Sequence, residues 1–143
     1  MSNPRVTAET AVVNISGYWK LEGLPDAQLC YTVHWGIDHL NTHQASIEGF
    51  LFPAHAELHA ARQAIKTAAR QKYVRIIIRT DSLFACEHIK NSANFARAPD
   101  DIRHLVASIH ALKNQIIVNA EHNEVATGKS DGQETFGNNE EKL

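Results

Sequence analysis

Apolar and polar positions sort the chain into a strand-rich first third, followed by an alternation of helices and strands. Ala11-Val-Val-Asn-Ile15 is a β-branched run that predicts a first strand, ended by the turn-forming pair Ser16-Gly17. Residues 18 to 26, with Gly23 and Pro25, read as a loop. Gln28 to Trp35 is rich in strand formers and closes at Gly36. After a polar connection over 37–43, Ala45 to Leu51 predicts a third strand with Ile47 and Leu51 on one face. Three strands joined by short connections predict an antiparallel meander.

Pro53 punctuates, and Ala54 to Gln71 carries Leu58, Ala61, Ile65, Ala68 and Ala69 at helical spacing with no internal Gly or Pro. Tyr73 to Thr80 follows with Val74, Ile76, Ile77 and Ile78, the pattern of a strand buried on both faces of a mixed or parallel sheet. Ser82 to Lys90 predicts a short helix, and residues 91–99 a linker. Asp100-Asp101 then open a helix with Ile102, Leu105, Val106, Ile109 and Leu112 as its core stripe, acids in the first turn suiting the helix dipole. Gln115 to Val118 predicts a fifth strand. From Thr127 the chain turns Gly-, Asn- and Glu-rich, so the expected organisation is a loose start over 1–10, one domain over 11–126 and a polar tail or eroded last helix over 127–143.

A length of 143 residues, 43% of them apolar, suits a single core. No run of 18 or so apolar residues exists to span a membrane, and the N-terminus lacks the apolar stretch of a signal peptide. Cys30 and Cys86 sit in apolar patterns and read as reduced core thiols, which predicts a cytoplasmic or nuclear protein. A net charge of -2 provides no global attraction for nucleic acid, so such a partner needs a local patch.

Candidate chemistry centres on two acids. Asp81 falls where the fourth strand stops, the place where open α/β sheets gather ligands. Its alternative role is an N-cap for the helix at Ser82-Leu83. Glu57 lines up with Ala60, Ala61, Ala64 and Ala68, the core-facing flank of its helix, where a carboxylate costs desolvation unless paired or bound to a cation. Its alternative is a boundary residue reaching solvent along its stem. His55 and His59 share a helix face at zinc-binding spacing, but they point away from Glu57 and have no third ligand, so they read as solvated. Arg62, Lys66 and Arg70 form a basic stripe, usually plain surface and sometimes phosphate-contacting.

Ala56-Glu57-Leu58-His59-Ala60-Ala61, then helix, strand and Thr80-Asp81-Ser82, resembles type 1 ribonuclease H. Tyr31-Thr-Val-His-Trp-Gly36 is similar to that family's second strand, and the resemblance covers roughly Val12 to Val125. It implies an α/β fold with a five-stranded mixed sheet, order 3-2-1-4-5, flanked by helices. It also implies hydrolysis of the RNA strand of RNA–DNA hybrids with two magnesium ions (or manganese) held by four carboxylates. Of those four, Glu57 and Asp81 carry over as metal and catalytic residues. The family's first-strand Asp-Gly is Ser16-Gly17 here, and a hydroxyl is a poor bridging ligand for hard cations. Phe52-Pro53-Ala54 replaces the Asn-rich helix start that meets RNA 2′-hydroxyls, and residues 91–99 are too short for the family's basic protrusion.

Two registers fit the C-terminal end. One puts His122 at the family's mobile histidine and Asp131 near the last acid. The other matches Thr127-Gly-Lys-Ser130 and Gly137-Asn-Asn-Glu140, with Lys129 at the histidine and Lys142, next to Glu141, at the last acid. The expectation is a monomeric ribonuclease H-like domain with weak magnesium binding and weak or lost cleavage. A working nuclease would need a third acid, Asp131 or Glu141, whereas a non-cutting domain would bind nucleic acid or a protein partner.

Overall fold

The computed structural model describes residues 9–21, 23–36, 38–50 and 52–123. The elements are β1 (Thr10–Lys20), β2 (Gln28–His34), β3 (His43–Ile47), α1 (Pro53–Arg70), β4 (Arg75–Thr80), α2 (Leu83–Lys90), a 3-10 segment (Ser92–Arg97), α3 (Arg103–Leu112) and β5 (Ile117–His122). They build a five-stranded mixed sheet in the order β3-β2-β1-β4-β5, as the resemblance implied. β1 to β3 form the antiparallel meander, and β4 lies parallel to both β1 and β5.

Several boundaries differ from the sequence reading. Ser16-Gly17 makes no turn: β1 runs on to Lys20, pairing Gly17 with Tyr31 and Tyr18 with Cys30. The reversal comes later, where Leu21 and Gly23 take positive φ of 61° and 86°. The third strand ends at Ile47, before the apolar Phe50. The 91–99 linker contains a 3-10 segment. Asp100 and Asp101 precede α3 without joining its first turn: Asp100 pairs with Arg103 at 2.7 Å and Asp101 reaches His55. β5 starts only at Ile117, because its register against β4 runs from Arg75–Ile117 to Thr80–His122.

The apolar run of β4 predicts a strand buried on both faces, but among the described residues it is buried on one. Ile76, Ile78 and Thr80 face the helices, Arg75 is exposed, and Ile77 and Arg79 are half-buried on the other face. Val74, counted in the apolar run, lies before the strand and is exposed. The core fills the helix side. Ala56, Ala60, Ala61, Ala64 and Ala68 of α1 give that helix a thin seam, which lets it sit close on Val13, Ile15, Val33, Ile76 and Ile78. Leu105, Val106 and Ile109 of α3 and Ala85, Cys86 and Ile89 of α2 close the layer. Both cysteines are free and buried.

Helix and sheet approach closely at Gly17. A Cβ there would stand 2.2 Å from the Pro53 carbonyl oxygen and 3.2 Å from Glu57 Cγ. Backbone cannot yield as a side-chain tip can, so Gly17→Ala is expected to destabilise the fold by about 2–3 kcal/mol or more. Urea unfolding monitored by circular dichroism would read this as a lower midpoint.

Candidate functional site

The two acids come from different elements. α1 starts with Pro53 at its first turn, where a missing N–H is harmless, and runs across the end of β1. Glu57, one turn in, is 3% exposed and accepts a hydrogen bond at Oε2 from the Gly17 N–H at 3.2 Å. Its Oε1 accepts the Thr80 hydroxyl. Thr80 in turn accepts the Ser82 N–H at 2.9 Å, so one buried chain of bonds ties β1, α1 and the β4–α2 junction. Glu57 therefore does not reach solvent along its stem.

Asp81 follows β4 and is exposed. It does not cap α2; Ser82 does, accepting the Ala85 N–H at 3.1 Å. Burial pushes Glu57 up to about 7; the Thr80 bond opposes this, the Asp81 charge adds to it, and the Gly17 bond opposes it. Ile15 pairs with Thr80 as the last step of the parallel register, and the half-buried Ser16 and the exposed Asp81 follow these two residues in their chains. Strand alternation turns Ser16 to the face opposite Gly17 and Glu57. A shallow depression of about 190 Å³, lined by Asn14, Ile15, Arg79, Thr80, Asp81 and Asn123, opens at this end of the sheet. His122 borders it, its Nε2–H donating to the Asp81 carbonyl at 3.3 Å. Asp131, Glu141, Lys129 and Lys142, and with them the choice between the two C-terminal registers, lie outside the described residues.

Sequence alone reads Gly17 as part of a turn, Asp101 as a helix-dipole acid and Thr80 as a strand end, and none of the three as a partner of the histidine or the acid it meets. Thr80 shares strand parity with Ile76 and Ile78, a signal that it faces the core. His55 is not part of a solvated pair with His59. It is buried, its Nδ1–H donates to Asp101 Oδ2 at 2.9 Å, and its ring stacks on Phe84 with centroids 5.3 Å apart. Phe52 packs edge-on at 5.1 Å, and His88 lies 4.2 Å beyond Phe84. These rings form a ladder across the starts of α1 and α2. His59 instead packs against Tyr31.

A metal pair requires oxygen ligands with free lone pairs and net negative charge. Among the described residues no three His, Cys, Asp or Glu side chains are grouped to hold a metal ion. Both Glu57 oxygens already accept protein hydrogen bonds, and burial favours its neutral form. These residues do not fit a two-metal centre.

No family model matches the sequence, and no curated protein does. Solved structures do. The N-terminal RNase H domain from Mycobacterium tuberculosis, solved as a maltose-binding-protein fusion, superposes with a TM-score of 0.54 at 20% identity, over 83% of this chain and 86% of that one. The chain has the ribonuclease H-like fold. RNase H1 of the halophilic archaeon Halobacterium salinarum gives a TM-score of 0.58 at 18% identity, over 84% and 89% of the two chains. LC11-RNase H1, solved in complex with an RNA/DNA hybrid, gives 0.56 at 15%, over 82% and 86%. In this ribonuclease H-like chain, Asp81 follows Thr80, the hydrogen-bond partner of Glu57, and its charge acts on Glu57.

Two predictions follow from the hydrogen-bonded chain around Glu57. A raised folded-state pKa means the fold holds the proton more tightly than the unfolded chain does. The associated stability is present in full below the ordinary value of 4.5 and is lost as pH rises through about 7. Glu57→Gln should remove that dependence and, at pH 8 in chelator, stabilise the fold by on the order of 3 kcal/mol at most. Melting curves at pH 5 and pH 8 test the sign; a loss at both would make Glu57 a charged structural partner. At the neighbouring turn, Ser82→Ala should cost about 1 kcal/mol, while Asp81→Asn, which removes no cap, should not destabilise. Chemical denaturation of the two variants distinguishes them.

Proposed function

We propose that this chain is a ribonuclease H-like domain that binds RNA–DNA hybrids and cleaves the RNA strand weakly or not at all. The observation that carries the reading is the state of the acid set: Asp81 acts on Glu57 through its charge, Ser16 stands at the first-strand position, and Glu57 is already bonded to Gly17 and Thr80. Losing one carboxylate from a two-metal site removes several kcal/mol of transition-state stabilisation, and each 1.4 kcal/mol is about tenfold in rate. Hybrid binding is supported by the likeness to LC11-RNase H1 in its complex. Magnesium or manganese binding is weak in this reading, because Glu57 is committed to Gly17 and Thr80 and Asp81 is left as the exposed carboxylate. A protein partner is the second reading, favoured by the exposed Phe52 (56%) and Leu83 (57%) at the starts of α1 and α2.

The test pairs two assays on one labelled RNA–DNA hybrid. Fluorescence anisotropy in chelator should show binding, and single-turnover cleavage in magnesium or manganese should be slow or absent. Fast cleavage abolished by Glu57→Gln would overturn the weak-cleavage reading, and no binding would favour the protein partner. Ser16→Asp adds the missing charge and should tighten magnesium binding about tenfold by calorimetry. Equal affinity before and after would remove this end of the sheet from metal binding.

A further inference from the structure

Glu57 faces inward from α1, and a different flank of the same helix carries charge. His59, Arg62 and Lys66 follow one another at three- and four-residue steps and share a face. Tyr31 of β2 stands between two imidazoles, its ring centroid 5.1 Å from His59 and 5.7 Å from His43 of β3. Arg62 is fixed by its Nε–H to Ser108 Oγ of α3 at 2.8 Å, and His104 lies one turn before Ser108 on that helix. Burial, followed by the charges of Arg62, His104, His43 and Lys66, holds the His59 imidazolium below its ordinary range, and no carboxylate is among these influences. The ion pairs among the described residues, His55–Asp101, Arg79–Glu121 and Arg103–Asp100, involve none of these side chains.

We infer that His43, His59, Arg62, Lys66 and His104 form a docking surface for the phosphate backbone of a nucleic acid, separate from the Glu57–Asp81 end of the sheet. The inference rests on the proposed nucleic-acid binding and says where the backbone is gripped. A chain of net charge -2 has no long-range pull on a polyanion, so its cations must act locally. From His59 to Lys66 the helix rises about 10 Å, room for on the order of two or three phosphates of one strand. Ser108 holds the Arg62 guanidinium in place, so less ordering entropy is lost when a phosphate binds. The imidazole N–H groups of His43, His59 and His104 add hydrogen-bond donors for phosphate oxygens along this face.

The experiment is an anisotropy titration of labelled oligonucleotides at several salt concentrations, with hybrid, duplex DNA and single-stranded DNA as probes. The double variant Arg62→Gln/Lys66→Gln should bind about tenfold more weakly and flatten the log–log salt slope by about two, since each lost phosphate contact removes close to one unit. A control with the same change in net charge, Arg75→Gln/Arg97→Gln, should leave the slope unchanged. If Arg62→Gln lowers the melting temperature, Lys66→Glu alone carries the test, with weaker binding expected and an unchanged melt. Patch-dependent binding of duplex DNA without hybrid binding would keep this surface and overturn the hybrid reading. Wild-type binding with slopes unaltered in the Arg62 and Lys66 variants, or equal loss in the control, would overturn the surface. Binding to none of the three probes would overturn both.

Discussion

The structure depends on one close approach, the N-terminal turn of α1 against β1 at Gly17. The Pro53 carbonyl sits where any side chain at residue 17 would have to go. Only a glycine in an extended strand admits it, and the alanine seam of α1 continues the same intimacy down the sheet. From that contact Glu57 reaches a strand N–H on one side and the Thr80 hydroxyl on the other. A buried carboxyl so placed joins two parallel strands at the end where an open sheet exposes its loops. Its raised pKa follows from the same burial: the seam that positions the acid also strips its water.

α1 and α3 add a second constraint. His55 meets Asp101 and Arg62 meets Ser108, each pair separated by 46 residues, so the chain segments run parallel in one register over two turns. Such polar pairs add little net stability, because each displaces water. Their unpaired alternatives are costly, which specifies how far one helix can slide along the other. Holding α1 in this way supports the placement of Glu57 against Gly17 and Thr80, and the helix has an inward acid flank and an outward basic one. On the acid side, the chemistry is limited by Ser16 and by Glu57's commitments to protein donors. On the basic side, Arg62 is held but its charge is unpaired among the described residues.

The sequence by itself determined the long alanine-rich helix, the meander, the strand that ends at Asp81, and through Ala56-Glu57-Leu58 and Thr80-Asp81-Ser82 the order of the sheet. Those features are written in periodicity and in short motifs, which are local. Tertiary structure decided what Ser16-Gly17 is for. The pair has turn chemistry, yet β2 offers a continuous ladder to Lys20, and the glycine serves the helix that crosses it. It also decided which residue caps α2, since Ser82 and Asp81 are equally good caps on paper and only the backbone path chooses between them. His55 and Asp101 are far apart in sequence and each has a bland local reading, a solvated histidine and a helix-dipole acid; their meeting exists only once α3 packs on α1. Thr80 likewise reads as the end of a strand until Glu57 arrives from another element to take its proton donor. Pairings across packed elements depend on distances that no local pattern encodes, and this site consists of such pairings.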